Sequence, residues 1–230
     1  MEINVINMVT IAPKGVFTAR LWQSMAVVYQ EILKCNFVQE LSAGTLRMES
    51  FAHYLAQDVL YLKQDNEALK TLSDRSENKT YADFFRKLAN DGIEVEEIMH
   101  DEYFSYFRVK EATSQSPAFG AYGKYILECA RLSPYPVAAA ALLPCFWVYA
   151  EVGFKIAANT VANNLYHKFI DTYSGDEYTG YIIQYLEIIE ELAQSATQEM
   201  RRLMQEAFVK ATRFELAVFD EAVHGDWRTK

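Results

Sequence analysis

The chemically most loaded position in this chain is a thiol one residue after a proline. Cys145 stands in Ala141-Leu142-Leu143-Pro144-Cys145-Phe146-Trp147-Val148-Tyr149-Ala150-Glu151, an apolar, aromatic stretch of helical character. Proline removes one backbone donor and clashes with the carbonyl four residues back, that of Ala140. A bend beside the cysteine is therefore expected, leaving a polar group free in an apolar wall. Tyr149 lies at i, i+4 from Cys145, so its phenol shares the helix face of the sulfur. Such a setting suits a nucleophile. It equally suits a core cysteine behind a packing kink, because free cysteines are commonly buried and inert.

Two carboxylates stand out beside it. Asp58 lies in Tyr54-Leu55-Ala56-Gln57-Asp58-Val59-Leu60-Tyr61-Leu62, where helical spacing places Tyr54, Asp58, Tyr61 and Leu62 on one face that should turn inward. Buried carboxylates are uncommon unless paired or ligand-binding, so Asp58 either meets a ligand or is satisfied by an arginine or a helix end. Glu215 shares a sparsely charged face with Phe208, Ala211 and Thr212; as an isolated residue it could instead pair with Arg213 in solvent. Tyr122, Tyr125, Tyr166 and Tyr173 offer aromatic walls for a flat ligand, although 15 tyrosines make amphipathic packing the ordinary role for most of them.

A second constellation competes. Glu97–His100 and Glu221–His224 both have Glu-x-x-His spacing, which with a glutamate from each of two further helices builds a di-iron carboxylate centre in a bundle. Against it, Glu221–His224 falls at the end of the last helix, where a metal is hard to shield. There is no Gly-rich phosphate loop, no Gly-x-Ser-x-Gly elbow and no Cys/His pair close in sequence.

The elements that must position these groups are helical. Half of the 230 residues are hydrophobic (51%), and only 9 Gly and 5 Pro interrupt them. Apolar periodicity places helices at Leu21–Leu33, Phe37–Leu41 (stopped at Gly44), Met48–Leu72, Thr80–Val109 and Ala118–Ala130. Then come a central helix carrying Cys145, a short one at Asn163–Asp171, and two amphipathic ones at Thr179–Gln194 and Thr197–Val223. Ser195 with Gln198 resembles a capping box before the last. The expected architecture is a single all-α domain over residues 13–227, a bundle of seven or more helices, after an N-terminal tail at 1–12.

Net charge of −9 and a pI near 5.0 exclude a basic nucleic-acid surface. Cys35, Cys129 and Cys145 make no paired framework and no Cys-x-x-Cys site, which points to a reducing, cytoplasmic setting. The first residues lack a basic n-region, so a tail is expected there instead of a signal peptide. Leu132–Ala150 runs 19 residues without a charge but contains Pro134, Pro136 and Pro144. A buried central helix is expected there, with no membrane partner.

Taken together, these segments resemble the TenA/thiaminase II family over nearly the whole chain. The resemblance rests on Phe37-Val38 with Gly44-Thr45-Leu46; on Phe51, Tyr54, Gln57-Asp58 and Tyr61-Leu62; and on Ser116-Pro117 with Tyr122. It continues through Ala140-Ala141-Leu142-Leu143-Pro144-Cys145, Trp147, Tyr149, Glu151 and Gly153, then Tyr166, Lys168, Ile170 and Tyr173, and ends on Glu215. It implies a heme-oxygenase-like bundle without heme, needing no cofactor and no metal, usually a homotetramer. The implied reaction is cleavage at the methylene beside an aminopyrimidine ring. Thiamin or 4-amino-5-aminomethyl-2-methylpyrimidine would yield the 5-hydroxymethyl compound. By position, Cys145 is then the nucleophile, Glu215 the acid/base group at the ring nitrogen and Asp58 the partner of the amino-amidine edge; Tyr61, Tyr122, Tyr149 and Tyr173 line the pocket. Retention of Cys145 places the chain in the cysteine-containing branch.

Two departures stand out. Cys35-Asn36 replaces a usual His-Pro, and Lys63-Gln64-Asp65-Asn66 replaces a stretch with an aromatic after Tyr61-Leu62, which can alter pocket shape and substrate preference. The rival readings are a non-catalytic pyrimidine-binding or regulatory protein on the same fold, and a heme-oxygenase-like di-iron oxidase.

Overall fold

The computed structural model describes residues 9–98, 103–172 and 176–229. It contains eleven α-helices among the described residues and no strand. They are α1 Val16–Lys34, α2 Asn36–Ser42, α3 Met48–Arg75, α4 Lys79–Ile98, α5 Ser105–Phe107, α6 Pro117–Leu132, α7 Tyr135–Leu142, α8 Pro144–Asn159, α9 His167–Thr172, α10 Asp176–Ser195 and α11 Gln198–His224. A 3₁₀ turn at Asp226–Thr229 follows.

The centre of the bundle is α7 with α8. Val137 through Leu142 are all buried, and the run of four alanines leaves room for neighbouring backbones to come close. α11 and α6 pack on that face, and α3 reaches it as well. The smallness of α7 is thus what lets helices far apart in sequence bring side chains together around the start of α8. This central pair is also the one described stretch long and apolar enough to cross a membrane by length and composition, Tyr135–Asn159; 72% of its apolar window is buried inside the bundle.

Helix ends are closed by carboxylates borrowed from other helices. Glu190 of α10 accepts from the Phe17 and Thr18 amides at 3.1 and 2.8 Å, satisfying the free donors at the start of α1. Glu221 of α11 does the same for α6: it accepts from Ala118 N at 2.7 Å and from the Ser116 hydroxyl. Glu151, fully buried in α8, accepts from Thr10 N at 2.8 Å and Ile11 N at 2.6 Å. The chain is therefore docked on the bundle by residue 10, three residues before the domain start expected from sequence.

Several boundaries differ from expectation for local reasons. α3 continues through Ser73 to Arg75, whose guanidinium bonds the carbonyls of Ala130 and Ser133. Of the helix expected over 80–109, α4 is described to Ile98 and α5 is closed by Arg108, which has φ 52°, a left-handed residue that no α-helix accommodates; residues 99–102 lie outside the described residues. Asn163, also left-handed at φ 61°, delays α9 to His167. The cap of α11 is Thr197, whose hydroxyl accepts from Met200 N at 3.1 Å; Ser195 closes α10 instead. Gly44 supplies the positive φ of 69° that ends α2.

Candidate active site

Cys145 occupies the second position of α8, after Pro144. Leu143 keeps right-handed helical angles (φ −59°, ψ −37°), so the break with α7 lies in the hydrogen-bond ladder. Pro144 has no N–H to offer Ala140, and the ladder resumes with Phe146 N and Trp147 N, both donating to Leu143 O at 3.1 and 2.9 Å. The cysteine stays partly accessible while Pro144 and Phe146 on either side are buried.

Three carboxyl groups surround it. Asp58 and Asp65 come from α3, seven residues and two turns apart on one face; Glu215 comes from the middle of α11. Their side chains are 8%, 3% and 4% exposed. None forms a salt bridge among the described residues, Arg213 beside Glu215 included. Burial pushes all three up to about 7: for Asp58 with help from Glu215, for Asp65 from Asp58, and for Glu215 from Asp65 against the hydrogen bond of Tyr122. Each carboxyl group thus works near neutrality, where a group can both give and take a proton.

The same surroundings hold the thiol of Cys145 well above its ordinary value. Burial comes first, then the charges of Asp65 and Glu215. The helix N-terminus favours a thiolate, but three carboxyl groups in a dry setting outweigh it. These surroundings therefore favour the neutral thiol.

Aromatic rings fix these groups. Tyr61 of α3 stacks on Tyr122 of α6 with centroids 4.7 Å apart, and Tyr122 stacks on Phe214 of α11 at 5.4 Å. Tyr122, the middle ring, donates to Glu215 Oε1 at 2.7 Å. α3 and α6 approach closely enough that a Cβ on Gly123 would stand 1.6 Å from Gln64 Oε1, which explains glycine next to Tyr122. The phenol acting on the thiol is Tyr61 and not Tyr149. The Tyr149 hydroxyl lies 3.0 Å from that of Tyr54, and its ring borders a small apolar recess walled by Phe37, Phe169, Ile170 and Phe219. That recess has Tyr149 in common with the site but none of the carboxyl groups and not the thiol.

The structure brings together Cys145, Asp58, Tyr61, Tyr122 and Glu215 as the sequence suggests, and adds Asp65. Tyr173 lies outside the described residues. So does His100 of the candidate di-metal motif; the other half of that motif is otherwise engaged, since both carboxylate oxygens of Glu221 cap α6 and His224 is exposed. Among the described residues no group of three His, Cys, Asp or Glu side chains is arranged to hold a metal ion.

Comparisons with known proteins agree with the all-α bundle. Over 218 residues, 94% of the chain, it is 32% identical to the thiamine biosynthesis multifunctional protein ThiED of Corynebacterium efficiens. The chain spans only 30% of that protein's length. It is 28% identical over 183 residues to the aminopyrimidine aminohydrolase of Bacillus subtilis, covering 78% of each. A TenA homologue from Pyrococcus furiosus, 20% identical, superposes with a TM-score of 0.85 over 90% of this chain and 100% of that one. The all-α bundle is thus of the TenA, heme-oxygenase-like fold. Residues 22–225 match the model of one family, and the chain belongs to it: the TENA/THI-4/PQQC family.

Proposed function

We propose that this protein is an aminopyrimidine hydrolase acting through Cys145. Its reaction replaces the leaving group on the methylene of a 4-amino-5-substituted-methyl-2-methylpyrimidine by water. The substrates considered are 4-amino-5-aminomethyl-2-methylpyrimidine and thiamin. The observation that carries the reading is the convergence of one partly accessible thiol with Asp58, Asp65 and Glu215, all three near neutral in pKa.

The chemistry follows from the electron demand of the ring. The thiol proton passes by way of Glu215 to a ring nitrogen while sulfur adds to a ring carbon, so aromaticity is lost as the C–S bond forms. The amino group of the ring then pushes its electron pair toward the methylene, and the leaving group departs with its bonding pair. A carboxylate at that amino group, Asp58, stabilises the positive charge that develops there. Water adds to the methylene and gives up one proton to the departed amine or, for thiamin, to solvent; the ring N–H returns its proton through Glu215 to the sulfur, whose expulsion restores the aromatic ring. Tyr61 and Tyr122 offer a flat surface against which the pyrimidine can stack.

Sequence relatives support the substrate class: aminopyrimidine aminohydrolases from Bacillus subtilis and Helicobacter pylori align over 78% and 88% of the chain. Work in the cytoplasm and assembly into a homotetramer belong to the same reading. Three free thiols suit a reducing compartment, and exposed Val16, Val27 and Leu132 offer apolar surface for neighbouring copies. The test is a steady-state assay of both substrates with product identified by mass, alongside trapping of a Cys145 adduct. Release of the 5-hydroxymethyl compound that disappears in Cys145→Ser supports the reading; release that survives the substitution refutes the covalent route.

A further inference from the structure

Asp65 is a buried carboxyl group to which the reaction outlined above gives no partner. It sits one turn beyond Tyr61 on α3, at i, i+4, so the two point from one helix face. Asp65 Oδ1 is buried and makes no hydrogen bond among the described residues, whereas the neighbouring Tyr61 phenol acts on the Cys145 thiol. An orphaned polar atom of this kind is rare in a folded protein and costly, so it calls for a ligand. Of the charges acting on Cys145, that of Asp65 is the strongest. No Lys or Arg forms an ion pair with Asp58, Asp65 or Glu215 among the described residues. A site with three carboxyl groups and no cation of its own is completed by a cation that arrives with the substrate.

We propose that Asp65 is a specificity residue that accepts hydrogen bonds from a primary ammonium on the arm of the substrate, selecting an aminomethyl-pyrimidine over one carrying a thiazolium. The inference rests on the hydrolase reading. Asp58 and Glu215 are engaged there by the amino edge and the ring nitrogen, which leaves Asp65 for the arm. An ammonium has N–H donors that satisfy Oδ1. The thiazolium nitrogen is quaternary: it balances charge but donates nothing, and Oδ1 stays unpaired.

The proton and electron count closes on this assignment. The arm binds as –NH₃⁺; its C–N bond breaks with the pair going to nitrogen, which leaves as ammonia. The Asp65 carboxylate, freed of its cation, takes the proton released when water adds to the methylene. It then passes that proton to the ammonia, so the products are the alcohol and ammonium. Binding the cation also offsets the carboxylate that acts most strongly on Cys145, which favours the thiolate only when substrate is present.

The experiment compares wild type with Asp65→Asn, an isosteric amide without charge, on the aminomethyl-pyrimidine and on thiamin. Asp65→Asn should lower kcat/KM for the aminomethyl compound by about 10–100-fold, the worth of one charge-assisted hydrogen bond. Thiamin, which donates no hydrogen bond to Asp65, should lose less, so the ratio of the two kcat/KM values should shift toward thiamin. Equal losses on both substrates overturn the proposal and leave the hydrolase reading standing. If wild type turns over neither compound, the hydrolase reading fails, and calorimetry still decides the ammonium site. Wild type should then bind the aminomethyl compound more tightly than its neutral hydroxymethyl counterpart, and Asp65→Asn should erase that difference. Identical preferences in the two proteins would overturn it.

Discussion

The Tyr122 phenol donates to Glu215 Oε1 at 2.7 Å, and both residues are buried where α6 meets α11. The bond favours the ionised carboxylate and so opposes the burial that lifts Glu215 to about 7. Tyr122→Phe removes that opposition, and the Glu215 pKa rises. A group that donates a proton fails once it has lost it, so the basic limb of the kcat/KM profile should move to higher pH in Tyr122→Phe. Glu215→Gln, which keeps the size but cannot deliver a proton, should lower kcat by about 10²–10⁴. A pH–rate series on the three proteins checks both; an unmoved limb with wild-type kcat in the glutamine variant would return Glu215 to a structural role.

Asp58→Asn should weaken binding of the hydroxymethyl product by about 1.5–3 kcal/mol, the usual worth of a hydrogen bond to a charged group. A carboxylate accepts from both the amino group and a protonated ring nitrogen, whereas an amide mismatches one of them. Calorimetric affinity equal to wild type would make Asp58 a packing residue.

The three buried carboxyl groups also give stability a pH dependence. In the unfolded chain they release protons near pH 4, but in the fold they hold them to about pH 7. Between those values the native state binds more protons, so stability is full below about pH 4 and falls as pH rises toward 7. Asp65→Asn cannot ionise. Its stability relative to wild type should be higher by on the order of 2 kcal/mol at pH 8 and nearly unchanged near pH 4. Urea midpoints at the two pH values decide; a gain as large at pH 4 as at pH 8 would contradict the burial argument.

Glu221 is assigned here to helix capping. Glu221→Ala should cost about 0.5–2 kcal/mol through loss of its bonds to Ser116 and Ala118, with no change in the iron content of purified protein. Stoichiometric iron that falls with this substitution would revive the di-metal reading.

Much of this site was legible before the structure because helical periodicity reports which residues share a face. Asp58 and Tyr61 were singled out that way, and Asp65, at four residues further along the same face, obeys the same rule. The run Lys63-Gln64-Asp65-Asn66 stands in the sequence only as a departure that can alter pocket shape, since a polar run does not say which of its members turns inward. Periodicity says nothing about what a face meets, and here the run meets α6 across Gly123. Tyr149 shows the same limit from the other side. Its spacing from Cys145 was right, but its hydroxyl pairs with Tyr54, and the phenol acting on the sulfur comes from another helix. The helix ends at Arg108 and Asn163 were missed because a left-handed residue other than glycine leaves little trace in sequence.

The covalent role of Cys145 is the claim on which the rest depends. The direct measurement is the intact mass of the protein during turnover of the aminomethyl-pyrimidine, in wild type and Cys145→Ser. The account predicts a transient pyrimidine adduct on wild type that maps to Cys145. In the serine variant, whose hydroxyl is a far weaker nucleophile near neutral pH, it predicts retained ligand binding, no adduct and no product. Product formed by Cys145→Ser at the wild-type rate would contradict it.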